Sequence, residues 1–110
     1  MFRSDIWVAA FVRRHNDIGH ICVVARRGDP IAGQIFVEVD HLNGETSLYV
    51  PAPAASRADN PEERLFQRRF DRVGPDRVRQ RLVQEEAFDP DFWVISLELR
   101  SGDLGLLVVA

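Results

Sequence analysis

Four side chains in this sequence are soft enough to ligate zinc: His15, His20, Cys22 and His41. A zinc site wants two close pairs of such ligands, and only His20 and Cys22 form one, with a single residue between them and a shared strand face. The spacing gives no metal centre, and no cofactor is expected. Cys22 as a nucleophile would need an exposed, electropositive setting that holds it as a thiolate. It sits between Ile21 and Val23 and reads as a buried, inert thiol. Ser4, Ser47, Ser56, Ser96 and Ser101 include no Gly-x-Ser-x-Gly elbow, so no catalytic serine is indicated. Glu85, Glu86, Asp89 and Asp91 cluster, and carboxylates so placed could bind a divalent cation or serve as general acid and base. A small hydrolase using the carboxylates near Glu86 is therefore one alternative. The alternation of a calcium loop is missing, and solvation of a helix end with pairing to nearby arginines is the simpler account. The segment from Arg26 to Gly33 offers Gly28 and Gly33 but matches no phosphate-loop pattern, so a plain strand connection is expected there.

All 14 basic residues are arginine. Without lysine the chain can build neither a P-loop nor a pyridoxal Schiff base. A GC-rich coding sequence accounts for the bias. Seven arginines against Asp71 and Asp76 give residues 64 to 81 a local charge of +5, and residues 82 to 110 hold Arg100 against six acids, a balance of −5. Arg64, Arg68, Arg69 and Arg72, interleaved with Phe66 and Phe70, form a candidate interface or anion-binding surface. Arginines among aromatics could contact phosphates and stack on bases, which makes RNA or nucleotide binding an alternative function. The net charge of −3 argues against it, because nucleic-acid binders are usually basic overall. Pairing between the two segments, inside the fold or across a protein interface, is favoured. The expectation is a non-enzymatic interaction module that binds a protein partner or a second copy of itself.

The elements that would position these residues belong to one domain, residues 1–110, long enough to bury a core without disulfides. No apolar run approaches the ~20 residues that span a bilayer, and Met1 to Asp5 leads into an amphipathic pattern rather than a signal core. With a single cysteine, this predicts a cytoplasmic protein.

Ser4 opens a helix as its cap, with Trp7, Ala10, Phe11 and Ile18 on the apolar face and Gly19 at its end. Residues 21 to 26 are apolar at both parities, which predicts a central strand covered on both faces. Asn43-Gly44 predicts a two-residue type I′ hairpin. In that register Val39 faces Leu48 and Val37 faces Val50. Ile35, Val37, Val39, Leu48 and Val50 then share the buried face, and Glu38, Asp40, Glu45 and Ser47 the other. The Pro- and Ala-rich stretch 51–64 reads as an exposed, mobile loop. Leu65 to Phe70 is a fourth strand, at an edge, with Arg64, Arg68 and Arg72 on the face of Phe66 and Phe70 and their heads within reach of Glu85 or Glu86. Gly74-Pro75 starts a second helix, capped by Asp76, that turns Val78, Leu82, Val83 and Phe88 to the core. Phe92 to Leu99 is a strong strand, Ser101 to Asp103 a turn, and Leu104 to Val109 a last strand. The sum is an α+β fold: a mainly antiparallel sheet of five or six strands with two helices packed on one side.

Several segments in fixed order, SDIWVAAFVRR, VVARRGDPIAGQIFVEV, NGETSLYVPAP and FDPDFWVISLE, resemble a family of small bacterial proteins known only as domain of unknown function 1491. The resemblance covers most of the chain. It implies a short, stand-alone bacterial protein of the cytoplasm and assigns no activity, cofactor or site residue.

Overall fold

The computed structural model describes residues 2–57 and 63–109. Its elements are α1 (Ser4–Asp17), β1 (Ile21–Arg26), β2 (Ile35–Asp40), β3 (Thr46–Pro51), the single turn α2 (Ala54–Arg57), β4 (Leu65–Val73), α3 (Pro75–Phe88), β5 (Trp93–Glu98) and β6 (Leu107–Val109). The six strands form one mixed sheet in the order β1-β5-β2-β3-β4-β6. Three pairings are antiparallel, while β2–β5 and β4–β6 are parallel. The α+β class and the six strands are as the sequence indicates. No helix among the described residues is long and apolar enough to cross a membrane.

The helices lie on opposite faces of the sheet rather than on one. Val8 and Phe11 of α1 join Val37, Val39, Tyr49, Ile95 and Leu97 in one core, and Val78 of α3 joins Phe36, Leu48, Val50, Phe92 and Val94 in a second. Strand alternation forces this split, because consecutive residues of β2 and β5 are apolar and both sets need cover. The buried stripe of α1 is Ser4, Val8, Phe11 and His15, leaving Ala10 and Ile18 exposed. Ser4 is not a side-chain cap. Its amide donates to the Ile31 carbonyl, the Asp5 amide donates to the Pro30 carbonyl, and the Ser4 hydroxyl donates to the Gly33 carbonyl at 2.6 Å. Asp76 likewise makes no cap hydrogen bond to α3; Gly74 is the N-cap and Pro75 the first helical residue.

The hairpin register is shifted by one residue. Val39 pairs with Ser47 and Val37 with Tyr49, so Leu48 and Val50 lie on the face opposite Val37 and Val39. All of these residues are buried, each in its own core. The loop is Leu42-Asn43-Gly44, closed by the His41 amide donating to the Glu45 carbonyl, with positive φ at Leu42 (63°) and Gly44 (87°). Asp40 Oδ1 accepts the Leu42 amide and Asn43 Oδ1 the Glu45 amide, so local side-chain bonds hold a wider loop than the two-residue turn.

β1 is an edge strand, paired with β5 alone. Its Cys22 parity is covered by α1, but Ile21 and Val23 are 57% and 51% exposed on the other face. The stretch 51–64 is only partly the exposed loop expected. Pro51 ends β3, Ala52 is buried and residues 54–57 form a helical turn, while 58–62 lie outside the described residues. β4 is bounded by β6 along residues 65–67 only and is an edge beyond that.

Candidate functional site

The arginine-rich stretch does not converge on one surface. Two bulges in β4 rotate its side chains, because Tyr49 pairs with Arg68, Leu48 with Phe70 and Thr46 with Val73. Phe66 consequently packs in the α1 core and Phe70 against the α3 core, not on a shared face. Arg72 takes φ 51° at the second bulge. Arg64 reaches back to the Phe2 carbonyl and the Ser4 hydroxyl at 3.0 and 3.1 Å, and its half-burial lowers its pKa. Arg68 pairs with Asp71 at 3.9 Å, Arg69 lies over the Phe70 ring, and Arg72 meets Glu45 at 3.8 Å and the Arg100 carbonyl at 3.1 Å. None of these four pairs with Glu85 or Glu86. Glu85 takes Arg81 from its own helix at 3.0 Å, and Glu86 takes Arg26 at 3.3 Å. Arg68 and Glu85 thus take partners three or four residues away, while Arg72 and Glu86 take theirs from a neighbouring hairpin and from β1.

The soft ligands stay apart as well. His15 Nε2 donates to the Leu104 carbonyl at 2.7 Å, which leaves Nδ1 to accept from His20 Nδ1–H at 2.9 Å, so both ring nitrogens of His15 are occupied. No three His, Cys, Asp or Glu side chains among the described residues are grouped to hold a metal ion. Burial pushes the Cys22 thiol up to about 11. The Arg26–Gly33 loop has its own occupants. Asp29 Oδ2 accepts the Ile31 and Ala32 amides, the Trp93 indole donates to the Asp29 carbonyl, and a Cβ on Gly28 would stand 2.5 Å from the Asp91 carbonyl oxygen. Its glycines serve close packing, and those two amides are already taken.

The concave feature with chemistry in it lies on the α3 face of the sheet. α3 rests on β3 and β4 and shares a core with Val94 of β5, leaving the β1 side of that face, with Ile21 and Val23, open. Between the helix and the open half runs a groove of about 440 Å³. Val94, Ser96 and Glu38 form its floor, Leu82 and Val83 its helix wall, and Arg26 its far wall. Arg26 gets there through a bulge at Ala25, where the β1–β5 register slips. Its guanidinium lies 4.4 Å from the Phe92 ring centroid and donates to the Pro90 carbonyl.

Glu38 is the group that sequence reasoning missed. Alternation assigns it to a solvent face, yet it sits half-buried mid-strand on β2, beside Ser96 of β5. Burial raises its pKa, opposed by the Ser96 hydroxyl and by Arg79, and assisted by Asp40. Both arginines at the groove already have anions: Arg79 holds Asp76 at 2.8 Å and Arg26 holds Glu86. Glu38 and Asp40 have no ion pair among the described residues. The signal was present in the sequence as one carboxylate inside the apolar run IFVEV.

A profile for a protein family of unknown function, DUF1491, matches residues 2–106. The fold is similar to a solution structure of an A. tumefaciens protein (32% identity, TM-score 0.84, covering 98% of this chain and 94% of that one). It is also similar to a crystal structure (29% identity, TM-score 0.79, covering 99% of this chain and 98% of that one) and to an NMR structure (34%, TM-score 0.77, 99% and 97%), each of a DUF1491 family protein from Caulobacter crescentus. No curated protein matches the chain.

Proposed function

The chain belongs to the DUF1491 family, and we propose that it is a non-enzymatic interaction module whose open half-face receives an amphipathic helix of a partner protein. One observation carries this reading: residues with a core-like pattern are left in solvent on the α3 side of the sheet, beside and along the groove. Ile21 and Val23 of β1 and Val83 of α3 belong to apolar patterns that call for cover, yet each is more than half exposed. Val23 pairs with Ser96 of the groove floor, and Val83 lines the groove wall.

The vacancy has the width of a helix. Two strands span about 10 Å, and a helix with its side chains is about 10–12 Å across. A helix laid over β5 and β1 would continue the layer that α3 begins over β3 and β4, completing a two-layer sheet face. Recognition would follow the helix-in-groove mode, with anchors at i, i+3, i+4 and i+7 meeting Val23, Leu82 and Val83. A cytoplasmic location fits such a module. Nucleic-acid binding has less support, since arginines 68, 69 and 72 are each engaged by a carboxylate or ring within the chain.

The test is selection of displayed amphipathic helical peptides on the whole protein, with binding mapped by amide chemical shifts. Shifts confined to β1, β5 and the Leu82–Val83 turn, abolished by Val83→Glu, are expected. Val83 is exposed, so that variant should fold. Selected peptides that map elsewhere, or that ignore Val83→Glu, would overturn the reading.

A further inference from the structure

The groove also specifies one residue of its occupant. We infer that Glu38 and Asp40 form a socket for a basic side chain, arginine or lysine, carried on the apolar face of the partner helix. This rests on the docking reading above and adds a charge requirement to it.

The argument starts from position. β2 lies third in the sheet, between β5 and β3, and its neighbours on the α3 face are Phe36 and Leu48, both buried in the second core. A carboxylate at Glu38 costs desolvation there, a cost that the Ser96 hydroxyl and the distant Arg79 charge offset only in part and that a paired cation would offset further. Asp40 lies two residues on along the same face and adds a second negative charge at the groove's mouth.

Every other charged group near the site is accounted for. On α3, Arg79 is held by Asp76 and is itself mostly exposed, and Glu86 is held by Arg26 from β1. On β5, Ser96 is the neutral neighbour of Glu38, and Glu98 pairs in register with Asp40. The groove therefore presents two carboxylates without an ion pair among the described residues, Glu38 and Asp40, with Glu98 beside Asp40 on the neighbouring strand, while its two arginines each hold another acid. The walls beside Glu38 are Leu82, Val94 and Phe92. Apolar walls leading to an anionic floor match a side chain with an aliphatic stem and a cationic head, and a guanidinium can engage the carboxylate through two parallel N–H···O bonds. A neutral or acidic residue at that position would bury Glu38 further with no counter-ion beyond its Ser96 hydrogen bond, so the socket discriminates between partners as well as attracting one.

Two arms test it, both on the full chain. In the first, butylguanidinium and its neutral isostere butylurea are titrated against labelled protein. The cation is expected to shift the amides of Glu38, Ser96 and Val94, the urea to leave them unmoved, and Glu38→Gln to weaken the cation by about tenfold or more. Equal binding of the two, or shifts centred elsewhere, would overturn the socket. The second arm inspects helical peptides selected on the parent. Enrichment in Arg or Lys at the position facing Glu38, lost when selection is repeated on Glu38→Gln, supports it. Peptides that map to the groove without a basic residue would overturn the socket while leaving the docking reading intact. No groove-binding peptide, with a positive first arm, would overturn the docking reading alone. Thermal melting of Glu38→Gln is the control, and an unchanged or raised Tm is expected because the substitution removes a desolvated charge.

Discussion

The Ser47 hydroxyl donates to His41 Nε2 at 2.8 Å, while His41 Nδ1 donates to the Leu99 carbonyl at 3.0 Å. The direction is fixed because a carbonyl only accepts, so Nδ1 carries the ring proton and Nε2 is the acceptor. Ser47 Oγ also accepts the Arg72 amide at 3.0 Å, at the bulge where that residue takes positive φ. The pair has the spacing of a nucleophile and its base. Ser47, however, is only 1% exposed, and its oxygen already serves the Arg72 amide. The arrangement is a lock that ties β3 to the β4 bulge and to the segment after β5. Ser47→Ala should cost about 1–3 kcal/mol by stranding buried polar partners. Urea denaturation checks this, and an unchanged midpoint would mean that the network contributes nothing to stability.

That lock also explains what the sequence did and did not disclose about the hairpin. Asn43-Gly44 correctly marks the reversal, and Val37, Val39 and Leu48 are all buried. Their shared face was wrong because the two-residue turn competes with His41, whose bonds to Leu99 and Ser47 set the register one residue away. The bond to Leu99 joins residues 58 apart in the chain, out of reach of any local pattern. β1 shows a different limit. Its apolar residues at both parities read as a central strand, and the difference is informative, since Ile21 and Val23 find no such cover among the described residues. The positions of β5 and α3 were legible from apolar runs and Gly-Pro breaks, but which strand neighbours β5 was not. Glu38 escaped notice because alternation assigns a charge to solvent by default.

Val39 is fully buried on β2 between Leu97 and Ser47. Val39→Asp should therefore destabilise the fold by several kcal/mol through an unpaired buried charge. Equilibrium unfolding of the variant measures it, and parent-like stability would contradict the register.

Cys22 is 2% exposed, with burial pushing its thiol up to about 11. Both the thiolate fraction and access are then low at neutral pH. A maleimide or disulfide reagent should label it slowly in the native protein and quickly in denaturant. Rapid native labelling would show that the strand opens or that the thiol is activated.

Glu38 gives stability a pH dependence of the opposite sign to an ion-paired carboxylate. Its folded pKa is raised, so between the unfolded and folded values the native state binds more protons than the unfolded state. Its contribution is most favourable below the unfolded pKa and is lost as pH rises through the folded one. Comparing parent with Glu38→Gln across mildly acidic pH isolates this term. The parent should lose ground to the variant as pH rises, and parallel curves would remove the case for a desolvated carboxylate. Affinity for a cation runs the other way, strengthening as pH rises and Glu38 ionises.

The arginines of β4 supply the last prediction, which separates charge pairing from nucleic-acid binding. Arg68 pairs with Asp71 and Arg69 stacks on Phe70, but both are exposed, so Arg68→Glu/Arg69→Glu should change stability by no more than about 1 kcal/mol. Arg64 differs, because its donors to the Phe2 carbonyl and Ser4 hydroxyl join β4 to the start of α1 in a half-buried setting. Arg64→Ala should cost more than the double change, through lost stem packing as well as lost hydrogen bonds. A phosphate-binding surface would show another pattern: affinity for single strands falling with salt at a log–log slope of about −0.7 per phosphate contact, and abolished by the double change. The bulges point successive arginines to different sides, so such a surface is not assembled, and RNA and DNA titrations across salt should show no micromolar binding. A steep salt slope lost in Arg68→Glu/Arg69→Glu would reverse this conclusion and make the arginine stretch the functional surface.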